Sequence, residues 1–282
     1  MSDWLLAQSG EILSLSLQLG LLCAVVLESM LPRRRLFTPR VPRWWQQLAM
    51  MIIGSLLARL CLPLAAVSLA ALVHQNHWGL FNRVAVPLPA SLLIGVVVLD
   101  CSEYALHRLS HAVPLLWRFH QVHHADLDVD CGTAVRHHPG EALIGQAFVL
   151  AVIAILGIAP IAVFLSLAIG IIVDIFNHSN LALPERVDRS LRRLIVTPDM
   201  HRIHHSADFV ESNRNFGSFL PWWDHLFSTY LHAPEGGQMQ MNLGLAHLRS
   251  SEELSLTSLL LLPFRPLVSA QGGQAARHEI AG

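Results

Sequence analysis

The chain has 282 residues, 53% of them hydrophobic and only 14% charged, with 19 Lys and Arg against 20 Asp and Glu. Soluble domains are nearer roughly a quarter charged, so this is a membrane composition. A formal net charge of −1 offers no basic surface for nucleic acid.

The N-terminus lacks a basic n-region and an A-x-A cleavage site, which argues against a removable signal peptide. The first apolar span runs from about Ile12 to Leu31 and ends at Pro32. Arg33, Arg34, Arg35, Arg40 and Arg43 follow at once. The second span runs from about Leu48 to Val73 and is interrupted by Arg59 and Pro63; Arg59 must snorkel, pair or face the protein interior. A short polar link, His74 to Arg83, holds Trp78, a residue suited to a membrane interface. The third span runs from Pro87 or Leu88 to about Leu106 and leads straight into His107. The next apolar block, Ala142 to Phe176, is about 35 residues long and is broken by Gly157 and Pro160. The histidines on its two sides can share metals only if they lie on one side of the membrane. The block is therefore expected to enter and return as two helices hinged near Gly157–Pro160. Each would hold about 16–18 residues, roughly 24–27 Å, with the turn shielded by protein or near the far interface. The arginine run places the Arg33–Arg43 loop in the cytoplasm, and the histidines follow it there. Beyond Leu183 the chain reads as a polar, partly helical cytosolic cap, with Ser251 to Leu267 as an interfacial or docking segment and the last dozen residues as a flexible tail. Cys23, Cys61, Cys101 and Cys131 are widely spaced, form no C-x-x-C and read as small apolar residues. The fold class expected is an all-α integral membrane protein with about four transmembrane helices, the last two as a hairpin, and a cytosolic histidine-rich helical cap.

Eleven of the seventeen histidines fall in a pattern. His107 and His111 make an H-x-x-x-H. His120, His123 and His124 make an H-x-x-H-H, which His201, His204 and His205 repeat. His137 and His138 are adjacent, and His178 stands alone. Helical spacings of three and four place side chains on one face, one turn apart, so several imidazoles can converge on one point. Neutral imidazole suits Fe, Zn, Cu and Ni. Eight or nine such ligands are too many for one zinc, which takes three or four, and suit two metals of higher coordination number. Asp100 and Glu103 lie seven and four residues before His107, and Asp174 lies four before His178. That spacing suggests carboxylates that orient the histidines from behind. Of His137 and His138, one reads as a ligand and the other as a neighbour, with His138 favoured.

The order H107-x-x-x-H111, H120-x-x-H123-H124, R136-x-H138-P-x-E141, F176-N-H178-S-N180 and H201-x-x-H204-H205, with Asn215-Phe216-Gly217 and Trp223-Asp224-His225-Leu226-Phe227, resembles the fatty acid hydroxylase/sterol desaturase superfamily. The resemblance implies a membrane enzyme with a non-haem di-iron centre, four membrane helices and a cytosolic cap, using O₂ to hydroxylate, desaturate or oxidatively cleave a lipid. It implies metal ligands at His107, His111, His120, His123, His124, His138, His178, His201, His204 and His205. Some members carry paired histidines where this chain has His178 alone, so a further position falls to His138, a water or Asn177. The domain reading is membrane helices over 1–90, a di-iron catalytic domain over 91–232, and an interfacial segment and tail over 233–282. No G-x-G-x-x-G follows a strand and no haem-attachment motif occurs, so electrons are expected from a separate ferredoxin-, cytochrome- or flavoprotein-type partner. The expected setting is a bacterial inner membrane. Two other readings are a membrane di-zinc hydrolase and a non-enzymatic haem- or metal-binding membrane protein.

Overall fold

The computed structural model describes residues 2–62, 64–84 and 86–267, with side chains from residue 4 onward. Pro63, His278 and the expected flexible tail beyond 267 lie outside the described residues. Regular structure among the described residues is helical, joined by two isolated β-bridges, Pro32–Leu181 and Ser206–Leu243. The helices are α1 (Ser2–Ala7), α2 (Ser9–Met30), α3 (Arg40–Cys61), α4 (Ala66–Gln75), α5 (Leu88–Ala112), α6 (Pro114–His124), α7 (Pro139–Leu156), α8 (Pro160–His178), α9 (Glu185–Leu191), α10 (Pro198–His204), α11 (Phe209–Ser212), α12 (Trp222–Leu226) and α13 (Leu256–Leu261).

Five described segments are long and apolar enough to cross a membrane: α2, the Arg40–Gln75 stretch of α3 and α4, α5, α7 and α8. This is one more than the expected count of about four, because the hairpin adds two helices to three preceding spans. The second span is broken: α3 ends at Cys61 and α4 starts at Ala66, with Arg59 exposed in the last turn of α3. A cation there complements the carbonyl end of the helix.

The hairpin forms at the expected hinge. Gly157 caps α7 with φ +70 and donates its N–H to Ile153 O at 2.8 Å. Such a left-handed cap favours glycine. Pro160 opens α8, where a missing N–H costs nothing. The two helices have 18 and 19 residues, or roughly 27 and 28 Å each. The turn is shielded by the Trp78–Arg83 link. Leu80 N–H donates to Ile155 O at 3.1 Å, and Asn82 Nδ2 donates to Gly157 O at 3.4 Å. Gly79 approaches so closely that a Cβ there would lie 2.3 Å from Gly157 N. Val67 and Ala70 of α4, Leu99 of α5, Ile153 of α7 and Ala162, Val163 and Phe164 of α8 bury one another beside this turn.

At the other end of the bundle the arginines do not form a free basic loop. Arg43 is enclosed by Asp126 at 3.0 Å, Asp128 at 3.6 Å and Asp130 at 2.6 Å, all three carboxylates buried. Arg33 pairs with Asp199 at 3.0 Å, and Arg40 with Glu28 at 3.3 Å. Arg34 donates to Met241 O at 2.8 Å. The run thus docks onto the histidine-bearing cap and shares its side of the bundle. Within the Ser251–Leu267 segment, Leu259 and Leu262 pack on Met50 of α3 and Val122 of α6, while Arg118 donates to Pro263 O and Arg265 O.

Candidate metal centre

Four helices deliver nine histidines to one place. α5 supplies His107 and His111 from its last turns. α6 supplies His120, His123 and His124, α8 ends on His178, and α10 supplies His201 and His204, with His205 at its C-cap. Pro114 and Pro198 occupy the first position of α6 and α10 and so set which residues share a face. The histidines divide into two adjacent groups. His107, His111, His120, His124 and His204 form one, and His123, His178, His201 and His205 the other. In each group one ligand atom per residue lies within 4.8 Å of all the rest. The two H-x-x-H-H motifs interleave in opposite senses. The first and last histidines of the α6 motif join the five-histidine group and its middle one the other. For α10 the assignment is reversed. The groups abut, with the His124 and His205 rings stacked at 4.7 Å and the His120 and His123 rings stacked at 5.4 Å.

The hydrogen bonds behind the rings fix which nitrogen faces inward. His107 Nδ1 meets Phe216 O at 2.8 Å, His123 Nδ1 meets Arg136 O at 3.2 Å, His178 Nδ1 meets Asp174 O at 2.8 Å, and His204 Nδ1 meets Arg214 O at 2.9 Å. His120 Nδ1 meets Glu141 Oε1 at 2.7 Å. A carbonyl or carboxylate only accepts, so each Nδ1 carries the proton and each Nε2 presents a lone pair. His123 and His178 then face each other Nε2 to Nε2 at 3.2 Å, acceptor against acceptor. The Nε2 atoms of His107, His120 and His204 are buried without a partner. Buried polar atoms are normally satisfied. Lone pairs converging in two groups fit cations, and the all-nitrogen donor set fits a transition metal. Burial first, then neighbouring imidazoles, hold His123, His124, His201, His204 and His205 well below the ordinary histidine range, which leaves them neutral, as ligands must be.

One expected ligand is elsewhere. His138 stands at the N-cap of α7, its Nδ1 accepting from Gly140 N at 2.9 Å and its Nε2 donating to Leu260 O at 3.2 Å. Both nitrogens are engaged and the ring joins neither group. The reason is Pro139: the residue before a proline is driven to extended backbone, and at an N-cap its side chain turns back onto the first helical turn. His137 is the nearer neighbour, stacked on His123 at 4.6 Å.

None of the three expected carboxylates hydrogen-bonds a ligating ring among the described residues. Asp174 reaches His178 through its backbone carbonyl, not its side chain. Asp100 accepts from Trp223 Nε1 at 2.7 Å and from Phe219 N and Leu220 N, each at 3.3 Å. It thereby anchors the loop that presents Phe216 O to His107. Glu103 makes no hydrogen bond or ion pair among the described residues. Asn177 is fully buried and donates from Nδ2 to Ser218 O at 2.8 Å. Sequence reasoning picked out Glu141 only as part of the R136-x-H138-P-x-E141 element and gave it no role; it accepts from His120 and, at 3.1 Å, from His137 Nδ1. The signal available was its place four residues after His137, one turn on.

Comparison with known proteins agrees with this geometry. Residues 92–229 match the family profile described as Fatty acid hydroxylase. The chain is 28% identical over 222 residues to an ornithine lipid hydroxylase of Rhizobium tropici, covering 78% of this chain and 61% of that protein. It is 25% identical to an alkylglycerol monooxygenase of Danio rerio, covering 72% of this chain and 44% of the relative. Cholesterol 25-hydroxylase of Mus musculus is 28% identical over 53% of this chain and 49% of its own length. The chain thus spans less than two thirds of the length of these relatives. No solved structure matches it significantly. With a fatty acid hydroxylase domain at its histidine cap and five apolar segments of membrane-crossing length, the chain belongs to the fatty acid hydroxylase/sterol desaturase superfamily of integral membrane proteins.

Proposed function

We propose that the chain is an oxidoreductase: an O₂-dependent oxygenase that hydroxylates or desaturates a membrane lipid. His107, His111, His120, His124 and His204 would hold one iron ion, and His123, His178, His201 and His205 a second. The observation that carries the reading is the convergence of nine imidazoles, seven of them buried, with the Nε2 lone pairs of His107, His120, His123, His178 and His204 turned inward. Five ligands in one group exceed the tetrahedral set zinc prefers, which favours iron over a di-zinc hydrolase. The hydroxylase and monooxygenase names of the relatives support the same reading.

Bound iron with O₂ supplies an oxidant strong enough to break an unactivated C–H bond. The chain's own part is positioning and dryness. Backbone carbonyls of Asp174, Arg214, Phe216 and Arg136 hold four Nδ1 protons and so aim four Nε2 atoms. Glu141 does the same for His120. Phe216 packs edge-on against His107, His111 and His204 and covers that side of the five-histidine group, and Trp117 lies 5.0 Å from the His111 ring. Electrons would arrive from a separate ferredoxin-, cytochrome- or flavoprotein-type donor. The setting proposed is a bacterial inner membrane with the cap in the cytoplasm, which the docking of the Arg33–Arg43 run on the histidine side supports.

The test is metal content and optical spectrum of the detergent-purified protein. About two irons per chain without a Soret band, lost in His204→Ala, is the expected result. Stoichiometric zinc without iron after iron-replete growth would overturn it.

A further inference from the structure

A cavity of about 810 Å³ opens in the cap and ends on His111 and His124, two members of the five-histidine group. Ligand sites for small molecules run roughly 300–1,000 Å³, so the space is of ligand size. Its position is informative. Ala112 and Pro114, at the turn between α5 and α6, line it. It therefore reaches the centre from the water-facing cap and not through the apolar bundle.

Its walls mix apolar side chains, among them Phe209, Met241 and Leu245, with charged groups that an alkyl tail would leave unpaired. Trp117 at its floor sits 5.0 Å from the His111 ring and 5.6 Å from the His124 ring. Asp208, Glu211 and Glu235 line one part, and Arg249 another. Glu211 is only 8% exposed. It accepts from Ser206 Oγ at 2.5 Å and from Glu235 N at 2.7 Å, but pairs with no cation among the described residues. Arg249 is held at one nitrogen by Leu243 O at 2.7 Å and has no ion pair among the described residues. An alkyl chain packed here would strip water from these groups and return nothing. A groove of about 410 Å³ between α2 and α8, lined by Leu19, Cys23, Leu27, Ile172 and Phe176, shows what an alkyl-compatible surface looks like in this chain.

We infer that this cavity is a headgroup pocket: the lipid presents its polar, amine-bearing end to the histidine centre, with the ammonium group on the Glu211 and Glu235 side and the alkyl tail kept outside. The inference rests on the lipid-oxygenase reading, and it deepens that reading by naming which end of the substrate meets the centre. It makes Glu235, exposed and free of any other ion pair, a specificity-determining residue.

The test uses the full-length, metal-loaded protein and two photoprobes. Both are lipids with the same primary-amine headgroup, one carrying a diazirine beside the amine and the other at the far end of the acyl tail. After irradiation, cross-linked peptides are mapped by mass spectrometry. The head probe should label peptides holding Trp117, Met241 or Leu245, and the tail probe should not. Unlabelled phosphatidylethanolamine should compete at least tenfold better than phosphatidylglycerol. Glu235→Gln should lower head-probe capture about fivefold, and Leu245→Trp, which fills the space, should abolish it. Labelling of the pocket by the tail probe, equal competition by phosphatidylglycerol, or no labelling by either probe would overturn the inference. Iron content measured on the same samples reports separately on the oxygenase reading, since the labelling pattern can fail while two irons remain bound.

Discussion

The segment Arg136-His137-His138-Pro139-Gly140-Glu141 makes opposite predictions for two residues three apart. Glu141 accepts from His120 Nδ1 at 2.7 Å and from His137 Nδ1 at 3.1 Å, while the His138 ring hydrogen-bonds only with Gly140 N and Leu260 O among the described residues. A residue that orients a ligating histidine from behind contributes about 10–100-fold to metal affinity, or about 1.4–2.7 kcal/mol. Glu141→Gln keeps an oxygen for His120 but loses the charge, and should sit near the tenfold end. Glu141→Ala removes the acceptor, frees the ring to rotate and should approach a hundredfold. His138→Ala removes an N-cap, at a cost of about 1 kcal/mol of stability, and should leave affinity within about twofold. The assay is anaerobic Fe(II) titration of the metal-free protein against a competing chelator. Thermal melts without metal separate folding from binding. Loss of an ion in His138→Ala, or wild-type affinity in Glu141→Ala, would refute the reasoning.

Three other outcomes follow from the same physics. Arg43→Met leaves Asp126, Asp128 and Asp130 buried without their shared cation and should cost about 3–5 kcal/mol, read by denaturant titration in detergent; Arg43→Lys should fall between. Gly157→Ala forces a side chain into a left-handed position where its Cβ would meet Trp78 O at 2.6 Å. It should lower stability by more than about 1 kcal/mol, seen as a drop in Tm. His123, His124, His201, His204 and His205 resist protonation when folded, whereas an unfolded histidine protonates near pH 6.5. Below that pH the unfolded state binds more protons. The metal-free protein should therefore lose stability on acidification, by up to about 1.4 kcal/mol per pH unit for each such histidine. Denaturation midpoints that stay flat between pH 7 and 5 would contradict this.

What the sequence made legible was what helical periodicity and backbone chemistry encode. The two H-x-x-H-H spacings and the H-x-x-x-H set eight of the expected histidines on converging faces, and His178 joins them from the end of α8. Gly157 and Pro160 marked the hinge because one residue alone tolerates φ +70 and the other opens a helix without needing its N–H. What stayed hidden was whatever a backbone group supplies. The acceptors behind His107, His123, His178 and His204 are the carbonyls of Phe216, Arg136, Asp174 and Arg214. Any residue carries a carbonyl, so no side-chain pattern marks them. Asp174 illustrates the trap: the spacing to His178 was right and the contact is real, yet the carboxylate takes no part. The pairing of Arg43 with three aspartates more than eighty positions on was equally silent, since neither partner is unusual alone.

The arginine run carries one more consequence for topology. A basic loop orients a membrane protein when its charges face the cytoplasm during insertion, yet in the folded chain Arg33, Arg40 and Arg43 are spent on Asp199, Glu28 and the Asp126–Asp130 loop. Glu28 lies in α2 itself, whereas Asp199 and the Asp126–Asp130 loop are synthesised after the first helices and, for Asp199, after the last membrane-length helix. Arg33 and Arg43 are therefore free while the first helices insert and are neutralised once these later segments arrive. The pairing fastens the cap to the same face the charges selected. Asp126 and Asp130 also frame the loop between His124 and Arg136, whose carbonyl orients His123. The arginines proposed to orient the chain thus hold the segment on which the four-histidine group depends, so cap docking and completion of that group should be a single cooperative event.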